Sequence, residues 1–498
     1  MKHRVLAAFL AVILFITAVP AACALDYTPQ QQLSLLYDVD EIIRENGLES
    51  AEDDNPLERA LKKKLRTVPT DEVLLEKLTA SPILYEELLA IMLSGYDEHT
   101  MYLPAGTYAA AFDPETNYVG VGVTIQAHRQ GALVTDVNLK GPAFAAGIRM
   151  GDLLVSADGH SLSGMDVSEI SALLRGEAGT AVTVEVLRDG ENLTFVLTRA
   201  ALTQLNYSGA PLDEDVFYMK WSRIQDDGSY LIFRMQLAQM IRDGYECLIL
   251  DLRDNPGGSL DLAFTMATDL MEDKGSFFRI VGRDPLGRES LKTEYISADG
   301  DGADVPHIYV LVNENSASSS EIIAVSLRDK EGATLVGETT FGKGRAQQHY
   351  VLETDAGIVL TTMMLLPLEG EDYEGVGIAP HVAVENTLLK GDAARIPDGT
   401  ALSLWSCSDN GEALNRALFS LGLLKALPEK VYQVTGETLA ACDLLTALYL
   451  GRGSTGAVTC DTLRLVNYLL DLQAAGVYEL DVQLLTAMDL AKDALNAQ

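Results

Sequence analysis

Three patterns in the 498-residue chain predict a multidomain α/β protein, helical at both ends, with a layered α/β core and an inserted β-domain. Between residues 201 and 388, apolar runs such as YECLILDL and HIYVLVN alternate with segments of helical periodicity. Strands that apolar are buried on both faces, which requires a layered sheet covered by helices. Between 113 and 200 the texture is short β-type runs (YVGVGVTI, GALVTDV, AVTVEVLR, ENLTFVLT) parted by glycine turns. Residues 25–112 and 389–498 are rich in Leu and Ala at helical spacing. The length supplies each of these units with its own core.

Composition narrows the partners. The chain is 48% hydrophobic and carries 72 acidic against 37 basic residues, a formal net charge of −35. A surface of that sign repels phosphate backbones, so nucleic acid is excluded as a partner, and the acidity reads as solubilising. Lys2, His3 and Arg4 precede LAAFLAVILFITAV and the small-residue end Ala22-Cys23-Ala24. This is the pattern of a secretory signal peptide over residues 1–24, cleaved before Leu25, or of an uncleaved anchor over Val5 to Ala24. Either places the working protein outside the cytoplasm. Cys247 lies in an apolar strand and reads as a small buried residue; Cys407, Cys442 and Cys460 allow one disulfide that the sequence does not pair. No cysteine or histidine spacing fits a metal site, and no cofactor is expected.

Taken in order, 25–112 forms a small helical domain ending in GYDEHTMYLPAGTYAAAF. Segment 113–200 carries helices at Pro142–Ala146 and Val167–Leu174, and with GPAFAAGIRMGDLLVSADGHSL it resembles a PDZ domain. That resemblance implies a loop Tyr118-Val119-Gly120-Val121-Gly122 that offers N–H groups to a peptide's C-terminal carboxylate, with Val119, Gly120, Val121, Gly122 and Val123 as the peptide-binding residues. The peptide would add to a strand expected at Val121–Ile125. In 201–388 the expected elements are a strand at 215–222, helices at 231–242 and 260–272, and a strand at 245–252 ending in DNPGG. In 389–498, turns at Gly436 and Val458 open helices, faintly resembling a peptidoglycan-binding module, with a plain packing domain as the alternative.

The chemistry concentrates in SASSSEIIAVSLRDKEGATLVGETTFGKGRAQ, residues 316–347. Ser318 and Glu321 have capping-box spacing, the ordinary explanation for a serine at a helix start. The same position suits a nucleophile, because free N–H groups and the helix dipole favour developing negative charge beside it. A serine hydroxyl needs a base, and a lysine serves only if burial or a nearby positive charge lowers its amine from ~10.4. Lys343 follows 25 positions on, and strand alternation puts it on one face with Arg345, whose charge would help lower it, and Gln347, placed to hold the amine. His349 is a weaker base candidate, lacking an obvious carboxylate to orient it. GETTFGK resembles a phosphate loop, but Gly344 stands where that loop needs a hydroxyl, and a strand follows rather than a helix.

Together GYDEHTMYLPAGTY, the PDZ segment, LILDLRDNPGGSL, NENSASSSEII, LVGETTFGKGRAQ and EGVGIAPHVAV resemble the C-terminal processing (tail-specific) proteases, in family order from about 95 to 385. The resemblance implies a ClpP/crotonase-like layered core. It implies Ser318 as nucleophile, Lys343 as base, Gln347 as its orienting residue, and Ser319 with Gly257 or Gly258 as oxyanion donors. It implies protein substrates with exposed C-termini, and self-inhibited assemblies in the family make a homodimer an expectation. The acidic stretch LEGEDYEGVG and the Arg345-Ala346 pair depart from the usual pattern. A catalytically silent PDZ and peptidoglycan-binding scaffold is the alternative.

Overall fold

The computed structural model describes residues 27–497 apart from 49–54, 104–116, 284–290, 398–401, 451–455 and shorter stretches. The expected leader at 1–24 and the expected boundary near 112 lie outside the described residues.

The core is a six-stranded sheet in the order Tyr207–Pro211, Val216–Trp221, Cys247–Asp251, His307–Val312, Thr334–Gly337, Val382–Ala383. The first pair is antiparallel and the others are parallel. The helix expected at 231–242 extends over Asp227–Asp243, and the one expected at 260–272 stops at Asp269. Alternation along the strands explains the continuous apolar runs. Leu248, Leu250, Val310, Val312 and Leu335 pack with helices Asp227–Asp243, Leu260–Asp269 and Ser319–Glu331. Cys247, Ile249, Tyr309, Leu311 and Val336 pack with Leu484, Ala487 and Ala491 of helix Val482–Asn496. The last helix of the chain therefore covers one face of this core sheet rather than belonging to a separate C-terminal bundle.

A second sheet joins strand Gly357–Pro367 to Met101–Leu103, Gly275–Gly282 and Arg345–Val351, with Lys292–Ala298 at the far edge. The N-terminal helices bury Leu36, Val39, Leu88 and Met92 with Ile358 and Leu360 of this sheet, so they form a cover on it. The PDZ segment forms its own sheet, with helices Pro142–Ala146 and Val167–Leu174 at the expected positions. Chain entry and exit pair as a ribbon of Asn117–Gly120 with Ala200–Thr203. Helices Gly436–Leu445 and Cys460–Ala474 start at Thr435 and Thr459, each closed by a threonine three residues on. These helices share a continuous apolar cluster with the PDZ core, and Arg464 Nη1 donates to Ala145 O at 3.1 Å. Among the described residues no disulfide joins Cys247, Cys407, Cys442 or Cys460.

One ion network fastens the C-terminal helix to the core. Buried Arg253 forks onto Asp251 (2.9 and 2.6 Å) and onto Asp481 Oδ2 at 2.8 Å, the residue that caps helix Val482–Asn496. Burial pushes the Asp251 carboxyl up, but the Arg253 and Lys220 charges outweigh it and hold the group below the usual carboxylate range. Removing one partner of a buried pair leaves the other charge uncompensated, at about 3–5 kcal/mol. Arg253→Ala should lose stability of that order in urea unfolding. Asp481→Ala should lose less, because its side chain is 33% exposed.

Candidate active site

Strand His307–Val312 runs into a loop and then the serine helix Ser319–Glu331. Ser316, Ser319 and Ser320 fasten that helix start to the loop after strand Cys247–Asp251. Their hydroxyls donate to Leu252 O at 2.8 Å, Gly258 O at 3.0 Å and Asn255 O at 3.0 Å. Ser318 is different. Its backbone sits at φ 55°, ψ −118°, a conformation that costs a non-glycine residue of order 1–3 kcal/mol and survives only where the surroundings enforce it. The Glu321 half of the capping box is formed, its Oε2 accepting from Ser318 N at 2.8 Å, while the Glu321 N–H donates to the Ser318 carbonyl at 2.8 Å. A cap explains the position of this serine, but the Glu321 N–H has the Ser318 carbonyl as an acceptor and does not depend on the hydroxyl.

The DNPGG loop packs directly on that serine. A Cβ on Gly257 (φ +94°) would lie 2.8 Å from Ser318 Cβ and 2.9 Å from Ser319 N, so only glycine allows this approach. The Gly257 N–H, expected as an oxyanion donor, donates to Asn255 Oδ1 at 2.9 Å. Gly258 bridges to Ile224 through its neighbours: the Ile224 N–H donates to Gly257 O and the Ser259 N–H to Ile224 O. The bridge does not use the N–H of Gly258. Among the described residues the N–H groups of Gly258 and Ser319 engage no acceptor.

Lys343 lies in the Gly-rich turn just ahead of strand Arg345–Val351, so strand alternation does not fix its face relative to Arg345 and Gln347. A buried carboxylate ties this turn to the serine. Glu321 Oε2 accepts from Ser318 N and Lys343 N, both at 2.8 Å. Its Oε1 accepts from Gly342 N at 2.7 Å and Thr340 Oγ1 at 2.5 Å. Burial nonetheless raises the Glu321 carboxyl above its ordinary value, the four donors opposing. Burial also lowers the Lys343 amine, against the opposing charges of Glu374, Asp97 and Glu321.

Two expectations about the neighbours change. Arg345 does not supply the lowering charge: its guanidinium is forked onto Asp372 at 3.0 and 2.7 Å, and burial shifts the amine instead. Gln347 does not hydrogen-bond the amine; its Nε2 donates to Thr361 Oγ1 at 3.2 Å and Arg345 O at 3.3 Å. His349 is near enough that burial and then Lys343 depress its imidazole.

Sequence reading missed Asp97, His99 and Glu374, and saw in Glu321 only a cap. The signal was present: carboxylates and a histidine sit inside the two phrases GYDEHT and LEGEDYEGVG, which also carry buried residues such as His99 and Tyr373. Asp97 Oδ1 accepts from His99 N (2.9 Å) and Thr100 N (2.7 Å). His99 Nε2 meets Glu374 Oε1 at 3.0 Å.

In the PDZ domain, Val119 and Gly120 are paired with Ala201 and Ala200 in the ribbon, and the strand begins at Val123 rather than Val121. The turn itself is Val121-Gly122, with carbonyls held by Ala143 N and Asn138 N at 2.9 Å each. Across the planar peptide the Gly122 N–H points opposite to the Val121 carbonyl. A groove of about 270 Å³ runs between this turn and helix Val167–Leu174, lined by Gly120 to Ile125, Val167, Ser171, Leu174 and Arg175.

Acyl transfer to a serine is the work of the serine peptidases, and that is the class to which this α/β core with its PDZ insertion belongs. Residues 216–384 match the model of Peptidase family S41, and residues 119–198 match that of a PDZ domain. The chain belongs to peptidase family S41. It is 30% identical to a carboxyl-terminal-processing protease of Synechocystis sp., over 61% of this chain and 71% of that one. It is 30% identical to the carboxy-terminal processing protease CtpA of Bacillus subtilis, over 66% and 69% respectively. A carboxy-terminal-processing protease of Bartonella bacilliformis is 29% identical over 65% and 72%.

Proposed function

We propose that this peptidase cleaves proteins near their C-termini with a Ser318–Lys343 dyad, the substrate tail being recruited by the PDZ groove. One observation supports the dyad above the others: a single buried carboxylate, Glu321, holds the backbone N–H of both Ser318 and Lys343 at 2.8 Å. Neutral Lys343 takes the hydroxyl proton as Ser318 Oγ attacks the scissile carbonyl carbon. The oxyanion forms against the N–H groups of Ser319 and Gly258. Collapse expels the amine, which leaves with the proton from Lys343, and an acyl-enzyme remains. Water then attacks the ester, giving its proton to Lys343, which passes it to Ser318 Oγ as the ester C–O bond breaks, so the carboxylic acid leaves and both groups are restored. Gln347, fixed through Nε2 by Thr361, keeps its Oε1 as an acceptor for the lysine ammonium. The basic start and apolar run of residues 2–24 support action outside the cytoplasm.

Recruitment through a terminal carboxylate has a direct test. An unfolded substrate with an apolar tail should be cleaved with a KM about tenfold lower when its C-terminus is free than when it is amidated, as read by mass spectrometry of the products. Equal cleavage of both forms would remove the PDZ groove from the recognition step.

A further inference from the structure

The acidic stretch that departs from the usual pattern folds over the lysine turn. Gly375 N donates to Gly342 O at 2.8 Å, and Gly344 N donates to Glu374 Oε2 at 2.7 Å. A Cβ on Gly342 (φ +89°) would lie 2.6 Å from Gly377 N, so the two segments are in backbone contact. The other oxygen of Glu374 reaches His99, which is 8% exposed, and the Asp97–Thr100 loop carrying it is pinned where Thr361 N donates to Thr100 Oγ1 at 3.1 Å. One carboxylate thus bridges the turn that carries Lys343 and a loop 275 residues earlier in sequence.

We propose that Glu374 is a positioning residue for Lys343: it latches the lysine turn to the His99 loop, and its charge sets the pH at which the amine becomes a base. This rests on the reading of Lys343 as the base. The charged or titratable groups around the amine come from four directions. The N-terminal loop brings Asp97 and His99, and the serine helix brings Glu321. The acidic stretch brings Asp372, Tyr373 and Glu374, and the following strand brings Arg345 and His349. Arg345 and Asp372 neutralise each other, and Glu321 already receives four donors. Glu374 exerts the largest opposing charge on the amine, ahead of Asp97. An anionic neighbour favours the protonated amine, so removing that charge lets the proton leave at lower pH.

The test compares Glu374→Gln, Glu374→Ala and Lys343→Ala in the full chain. Glutamine keeps an acceptor for Gly344 N but removes the charge. The acid limb of its kcat/KM profile should move to lower pH, with kcat lowered only a few-fold. Alanine loses both bonds, and kcat should fall about 10–100-fold with KM changed much less. A second readout does not use activity. In a Ser318→Ala background, titration of 13Cε-labelled lysine should show the Lys343 signal moving at lower pH when Glu374→Gln is added. An unmoved acid limb and an unmoved lysine titration overturn the proposal. Activity surviving Lys343→Ala would fail the dyad itself. Activity lost in Lys343→Ala, with a wild-type profile in Glu374→Gln, would fail the latch alone.

Discussion

Ser318→Ala and Lys343→Ala should each reduce peptide cleavage by a factor on the order of 10⁵–10⁶, and the double variant should be no worse than either. The reason is that in the proposed dyad the two groups act as one unit. Without the hydroxyl there is nothing to acylate, and without the amine the hydroxyl keeps its proton at neutral pH. The structure makes the comparison clean on the serine side. The Glu321 N–H keeps the Ser318 carbonyl as its acceptor when the hydroxyl is removed, so the unfolding free energy should stay within about 0.5 kcal/mol of wild type. A fluorophosphonate probe should label wild type and fail on Ser318→Ala. Additive losses in the double variant, or cleavage retained in either single variant, would show that the two residues do not share a step.

Glu321 should show the second largest effect, and it should appear in stability as well as rate. Glu321→Ala would strip acceptors from three backbone N–H groups and the Thr340 hydroxyl, all in a site the side chain fills without exposure. Each orphaned donor costs about 1–3 kcal/mol, so a loss of at least about 3 kcal/mol is expected in urea unfolding. Glu321→Gln keeps the volume but turns an NH₂ toward two donors. It should remain folded with kcat lowered on the order of 100-fold, because a displacement of about 1 Å between nucleophile and base is enough for that. Wild-type kcat in Glu321→Gln would mean that Ser318 and Lys343 are held by something other than this carboxylate.

What could be read from the sequence was what depends on neighbours in the chain. The strand Cys247–Asp251, buried at every position, followed from an apolar run, and the spacing of Ser318 and Glu321 announced a helix start. What could not be read was where long-range partners land. Arg253 looks like a charge at a strand end, yet it pairs with Asp481, 228 residues away. Glu374 looks like one more acid in an acidic chain, yet it meets His99. Gly257 and Gly258 look interchangeable, and only the packing against Ser318 and the Asn255 side chain separates the N–H that is taken from the one that is open. Periodicity reports which face is buried. It carries no information about which buried polar group finds which.

The ribbon by which the PDZ segment enters and leaves the core closes the chain at one seam, and the apolar face that the segment shares with the C-terminal helices is its other attachment. Gly120 and Ala200 are register partners in an antiparallel pair, so the chain is already closed on itself at the seam. Replacing residues 121–199 with a two-residue Asn-Gly turn would complete a hairpin rather than leave a gap. A foreign peptide-binding domain with adjacent termini could be spliced at the same joint. If the PDZ groove recruits the substrate as proposed, a domain spliced at this seam should redirect substrate choice while leaving the core sheet and its serine helix in place.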